Sequence, residues 1–136
     1  MRRIVCFERI AKAFDFKTAV DEQGNEYVLF ADNNLDLIEN IQDKTAFEAF
    51  ENHIHLIDNI KNNEFGKLVA IAQNFGMALL NCLQIRYPQK RFIVYVSLRL
   101  KDSMIIRFHQ RWENEEPFCN PRDFVSKDEK VFIFQN

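Results

Sequence analysis

"RFIVYVSLRLKDSMIIRFHQRW", residues 91–112, is the stretch on which the fold turns. Its even positions Phe92, Val94, Val96, Leu98 and Leu100 are all apolar, while the odd positions drift from Ile93 and Tyr95 to Ser97, Arg99 and Lys101. The second half repeats the pattern with Met104, Ile106, Phe108 and Trp112. A period of two is the signature of a strand with one buried face, and two such runs in succession predict an antiparallel hairpin. A three-residue loop, Lys101-Asp102-Ser103, would pair Leu100 with Met104, Leu98 with Ile106, Val96 with Phe108 and Phe92 with Trp112. A two-residue loop would set apolar residues against arginines, so the longer turn is expected. Gln110, opposite Val94, is then the one polar exception on the apolar face. The other face would carry Tyr95 opposite His109, Ser97 opposite Arg107 and Ile93 opposite Arg111.

Downstream, "KVFIFQ" is apolar on both faces and reads as a last strand, central or covered. Upstream, residues 64–87 give a long helical signal that Pro88 ends. Phe65, Leu68, Ala72, Phe75, Leu79 and Leu83 form one stripe, which Val69, Ile71, Met77, Leu80 and Ile85 widen to that of a central buried helix. Gly66 and Gly76 could allow close approach of the sheet. Before it, "TAFE" has the capping-box pattern, with Thr45 and Glu48 bonding each other's backbone at the start of a helix. Phe47, Phe50, Ile54 and Ile57 would be its stripe, and Glu48, Glu51 and Asp58 its acidic outer face. A short helix carrying Leu35, Ile38 and Ile41 is expected after Asp32 or Asn33. "FKTAV" and "EYVLFA" flank "DEQGN" as a hairpin, and residues 2–14 space Ile4, Phe7, Ala11 and Phe14 as an amphipathic helix requires. Together these predict one α+β domain over residues 1–136. It should hold a mainly antiparallel sheet of about five strands, with three to four helices packed on one face.

A chain of 136 residues can bury one sizeable core. Glu8, Arg9, Lys12 and Asp15 interrupt the first apolar run, which is therefore not an export signal. Polar residues also break up residues 65–85 as a membrane span. Cys6, Cys82 and Cys119 cannot all pair within the chain and show no C-x-x-C spacing, as expected of reduced thiols in a cytoplasmic protein. With only three glycines, the chain has no phosphate-cradling loop or nucleophile elbow.

Tyr95, Arg107, His109 and Arg111 on one sheet face could bind phosphate or carboxylate through the planar guanidinium fork, although a solvated face of an antiparallel sheet is the simpler account. Cys119, His109 and Asp123 have the residue types of a thiol nucleophile, base and orienter. Nearby glutamates disfavour the thiolate, so a bystander cysteine is the simpler account. His53 and His55, two apart on a helix, would point away from each other and hold no metal. Glu113, Glu115 and Glu116 include a possible general acid, but no second carboxylate at a defined distance follows from the sequence. No catalytic residue, metal site or cofactor is expected.

Charge is distributed unevenly. Residues 15–64 hold twelve acidic and three basic side chains, and residues 65–112 eight basic and one acidic. Asp36, Glu39, Asp43, Glu48, Glu51 and Asp58, with Glu113 and Glu115, could steer a basic protein partner onto the surface. Arginines interleaved with Tyr87, Tyr95 and Trp112 over residues 86–112 admit a small nucleic-acid binder as the alternative. The overall pI of about 5.9 argues against that alternative.

The chain, and "FIVYVSLRLKDSMIIRFHQRWENEEPF" above all, resembles the small immunity proteins of bacterial contact-dependent inhibition and related polymorphic toxin systems. The likeness lies in size, in the acidic helical half and in a late hairpin whose second strand reads "IRFHQRWENEEP". The resemblance implies a non-catalytic protein that binds a cognate toxin domain, often a nuclease, and occludes its active site. A basic toxin would suit the acidic half.

Overall fold

A computed structural model of the chain describes residues 2–35, 38–119 and 128–136. Among them are three helices and six strands: α1 (Arg2–Ala13), β1 (Phe16–Val20), β2 (Glu26–Phe30), α2 (Lys44–Glu51), β3 (His53–Asp58), α3 (Phe65–Arg86), β4 (Phe92–Arg99), β5 (Ser103–Gln110) and β6 (Glu129–Gln135). The fold is α+β, with two antiparallel sheets rather than one. β1 and β2 form a hairpin, and the larger sheet has the order β3-β5-β4-β6.

The hairpin of β4 and β5 places the apolar even positions on the core face, as their period requires. Its register is two residues from the expected one: Val94 lies opposite Phe108, Val96 opposite Ile106, Tyr95 opposite Arg107 and Ile93 opposite His109. The turn is Leu100-Lys101-Asp102, with Lys101 at φ 63°. A two-residue slip preserves the alternation of faces, so hydrophobic patterning cannot distinguish the two registers.

α3 packs on that face through Leu68, Ala72, Leu79 and Leu83, and β6 is an edge strand whose Phe132 and Phe134 join the same core. Gly76 is required here, because a Cβ would enter the Phe134 ring, whereas a Cβ at Gly66 would meet nothing within 4 Å. α3 is not buried all round: Ile71, Met77 and Ile85 face solvent. Phe16 and Phe30 of the β1–β2 hairpin close the end of the core against Phe108, with ring centroids 5.8 and 4.9 Å away.

The expected helix over residues 45–60 divides at Asn52. α2 stops there, and "HIHLID" becomes β3, paired with β5 and bulged between His55 and Ile57. The bulge shifts the pleat so that both Leu56 and Ile57 reach the core. His53 and His55 consequently share a face, with ring centroids 5.8 Å apart, instead of pointing away from each other. No helix forms among the described residues of 32–41. Ile38 bridges to Asp21, and the Lys17 ammonium donates to the carbonyls of Asn33 and Leu35. The capping box does not form either: the Asp43 side chain accepts from the Ala46 amide at 2.9 Å, and Glu48 turns inward.

Candidate functional site

Glu48, expected on an acidic outer face, is fully buried. Its carboxylate accepts four N–H donors: the amides of Val28 at 3.0 Å and Gln110 at 2.8 Å, the Gln110 side chain at 2.7 Å and the Trp112 indole at 2.6 Å. Burial pushes the carboxyl up to about 7, against the pull of these donors on the ionised form. One turn on, Asn52 accepts from the Phe30 amide at 3.1 Å and donates to the Val28 carbonyl at 2.8 Å. Side chains of α2 thus take the hydrogen-bonding positions on the outer edge of β2. Gln110, the polar exception in the β5 pattern, ties this cluster to the large sheet; a buried polar residue in an apolar row was the one sequence signal for it.

Trp112 begins a loop that is anchored along its length. The Glu115 carboxylate accepts from the amides of Thr45 at 2.7 Å and Lys44 at 3.3 Å, and pairs with the Lys44 ammonium at 3.2 Å. Partial burial would raise its pKa, but the bonds to Thr45 and Lys44 prevail and lower it. The Phe118 amide donates to His109 Nε2 at 3.2 Å, while its ring lies under the Arg107 guanidinium at 4.8 Å and edge-on to Tyr95.

His109 is held as a neutral ring. Because Nε2 accepts the Phe118 amide, Nδ1 carries the hydrogen and donates to the Gln110 carbonyl at 2.7 Å. The Tyr95 hydroxyl meets Nε2 at 2.9 Å. Burial lowers the His109 pKa and raises that of Tyr95 to about 12. With both ring nitrogens committed, His109 is not arranged as the base of a nucleophilic thiol. Cys119 is half-buried near Tyr95 and Arg107, and Asp123 lies outside the described residues.

The expected polar face is therefore covered. Tyr95 and His109 are buried beneath Phe118, Arg107 donates to the Ala49 carbonyl, and Arg111 alone of the four is exposed. The expected acidic set also separates. Asp36 lies outside the described residues, and Glu39 is exposed. Glu51 accepts from the Asn33 side chain at 2.9 Å, and Asp58 pairs with Arg9 at 2.9 Å. Asp43 and Glu115 meet around the start of α2 with Glu113 and Glu116.

Two adjoining clefts open at this end. One of about 300 Å³ is lined by Arg91, Arg111, Trp112 and Glu113 among others, and one of about 570 Å³ by Gln42, Asp43, Ala46 and Phe118 among others. Thr45, Glu115, Glu116 and Pro117 line both. Glu113 and Glu116 point to solvent, and Phe118 keeps 40% of its surface exposed. Among the described residues, no group of three or more His, Cys, Asp or Glu side chains is placed to hold a metal ion.

No curated protein and no solved structure matches the chain. A family model matches residues 16–134, from the first strand to the last, and the chain therefore belongs to the Uncharacterized protein PM0498 family.

Proposed function

We propose that the chain is a non-catalytic cytoplasmic immunity protein, binding a cognate bacterial toxin domain, with a nuclease as the expected toxin, and occluding its active site. The observation that carries this reading is the anchored loop over residues 112–118. Bonds to Glu48, Lys44, Thr45 and His109 hold it, with the Arg107 guanidinium over the Phe118 ring, while Glu113, Glu116 and Phe118 remain outward. Fixing such a loop before association removes much of the ordering cost of binding. An exposed aromatic ring rimmed by carboxylates supplies a desolvated anchor together with steering toward a basic partner. The set responsible would be Asp43, Glu113, Glu116 and Phe118, with Arg91 and Arg111 meeting acidic groups at the rim. The nucleic-acid alternative loses support, because Tyr95 is only 3% exposed and Trp112 spends its N–H on Glu48.

Co-expression with the protein encoded immediately upstream tests this reading. The wild-type chain should co-purify with that protein and restore growth. A variant carrying Glu113→Lys and Glu116→Lys, both exposed, should bind on the order of 100-fold more weakly, with an unchanged melting curve. Absence of a complex with the wild-type chain would sink the proposal.

A further inference from the structure

We infer that the solvent-facing side of α3 is the interface of a homodimer. From residue 68 to residue 85 the helix contains no charged side chain, although only one of its faces packs on the core. The outward stripe runs Ile71, Asn74, Ala78, Asn81, Ile85, with Met77 at its flank. Ile85 is 81%, Met77 55% and Ile71 48% exposed. A charge-free stripe of this length on a solvated helix calls for a partner surface.

The order of residues in the stripe argues for a second copy of the same chain. A two-fold contact requires that if one residue meets another, the second meets the first in return. About Ala78 the stripe is close to a palindrome: Ile71 and Ile85 lie seven residues to either side, Asn74 four before and Asn81 three after. In an antiparallel pair crossing at Ala78, Ile71 of one copy faces Ile85 of the other. Asn74 then falls beside Asn81, whose amide offers both donor and acceptor, and alanine at the crossing point lets the helices approach closely. The flanking cations do not collide, because Arg86 falls opposite Ala70 and Lys67 opposite Gln89. The stripe from Ile71 to Ile85 is about 21 Å long and about 10 Å wide, which gives roughly 400 Å² of facing surface over both copies, the size of a weak, transient contact. The dimer should accordingly be weak and form only toward the upper end of the concentration range.

Sedimentation velocity of the full chain from about 1 to 200 µM reads this directly. The weight-average mass should rise from 16.2 kDa toward twice that value. Ile85→Glu and Ala78→Glu should each weaken association by at least about tenfold, leaving circular dichroism and melting unchanged, and Asn74→Leu should strengthen it. Val20→Glu, on an exposed apolar residue of the β1–β2 hairpin, should leave the profile as in the wild type. A monomer throughout overturns the inference, as does a mass increase that both α3 glutamate variants leave intact. A monomeric chain that floats with phosphatidylcholine vesicles would give the face to a membrane and overturn it too. None of these outcomes bears on toxin binding, which is placed on the loop over the opposite sheet face.

Discussion

A carboxylate removed from water has to find its donors within the protein, and the four around Glu48 come from β2, β5 and the residue that opens the acidic loop. Replacing it by alanine strands two backbone amides, a carboxamide and an indole, which should cost roughly 4 kcal/mol at pH 5 in urea unfolding. That cost should fall as pH rises. With a folded pKa of about 7 against 4.5 for the free group, the folded state binds more protons between these values. The stabilisation is complete below the unfolded value and is lost through the folded one, amounting to about 3 kcal/mol. His109 gives a slope of opposite sign, because its lowered pKa favours the folded state as pH rises through the range below 6.5. It is common to both proteins and cancels in their difference. Trp112, the single tryptophan, touches the carboxylate, so its fluorescence should titrate near pH 7 in the wild type and not in Glu48→Ala. A penalty independent of pH would refute this account.

At the scale of elements, α3 shows what a glycine can decide. Gly76→Ala should destabilise by roughly 1–3 kcal/mol, because the new methyl enters the space of the Phe134 ring and outweighs the gain in helix propensity. Gly66→Ala meets open space and should stabilise by up to about 1 kcal/mol. Equal melting shifts for the two would contradict the close packing of α3 on β6. The same elements show which parts of the fold local patterning can reveal. Runs as long and regular as α3 and the β4–β5 hairpin declare themselves. "HIHLID" does not, because Ile54 and Ile57 stand three apart as on a helix, and the bulge after His55 hides the strand period. Only pairing with β5, some fifty residues away, makes it a strand. Glu48 misleads for the same reason: its local setting reads as a surface cap, and its actual partners lie twenty and more than sixty residues distant. The acidic loop was legible in composition, whereas its anchoring depends on contacts between distant segments.

At the scale of the whole molecule, the loop and the outer side of α3 occupy opposite faces of the four-stranded sheet. If both proposals hold, a dimer presents two toxin-binding ends pointing apart, and two tethered toxins would be held with an avidity that a monomer lacks. The side chains of α2 along β2 bear on a different property, solubility. An uncovered strand edge is a template on which a strand from another molecule can add, and proteins suppress this by covering or distorting such edges. Here a helix does so through Glu48 and Asn52. Asn52→Ala frees the Val28 carbonyl and the Phe30 amide within an intensely apolar strand, "EYVLF". Light scattering during refolding should then rise with protein concentration in this variant and remain flat in the wild type. The asparagine that ends a helix would in that case also keep the chain from aggregating as it folds.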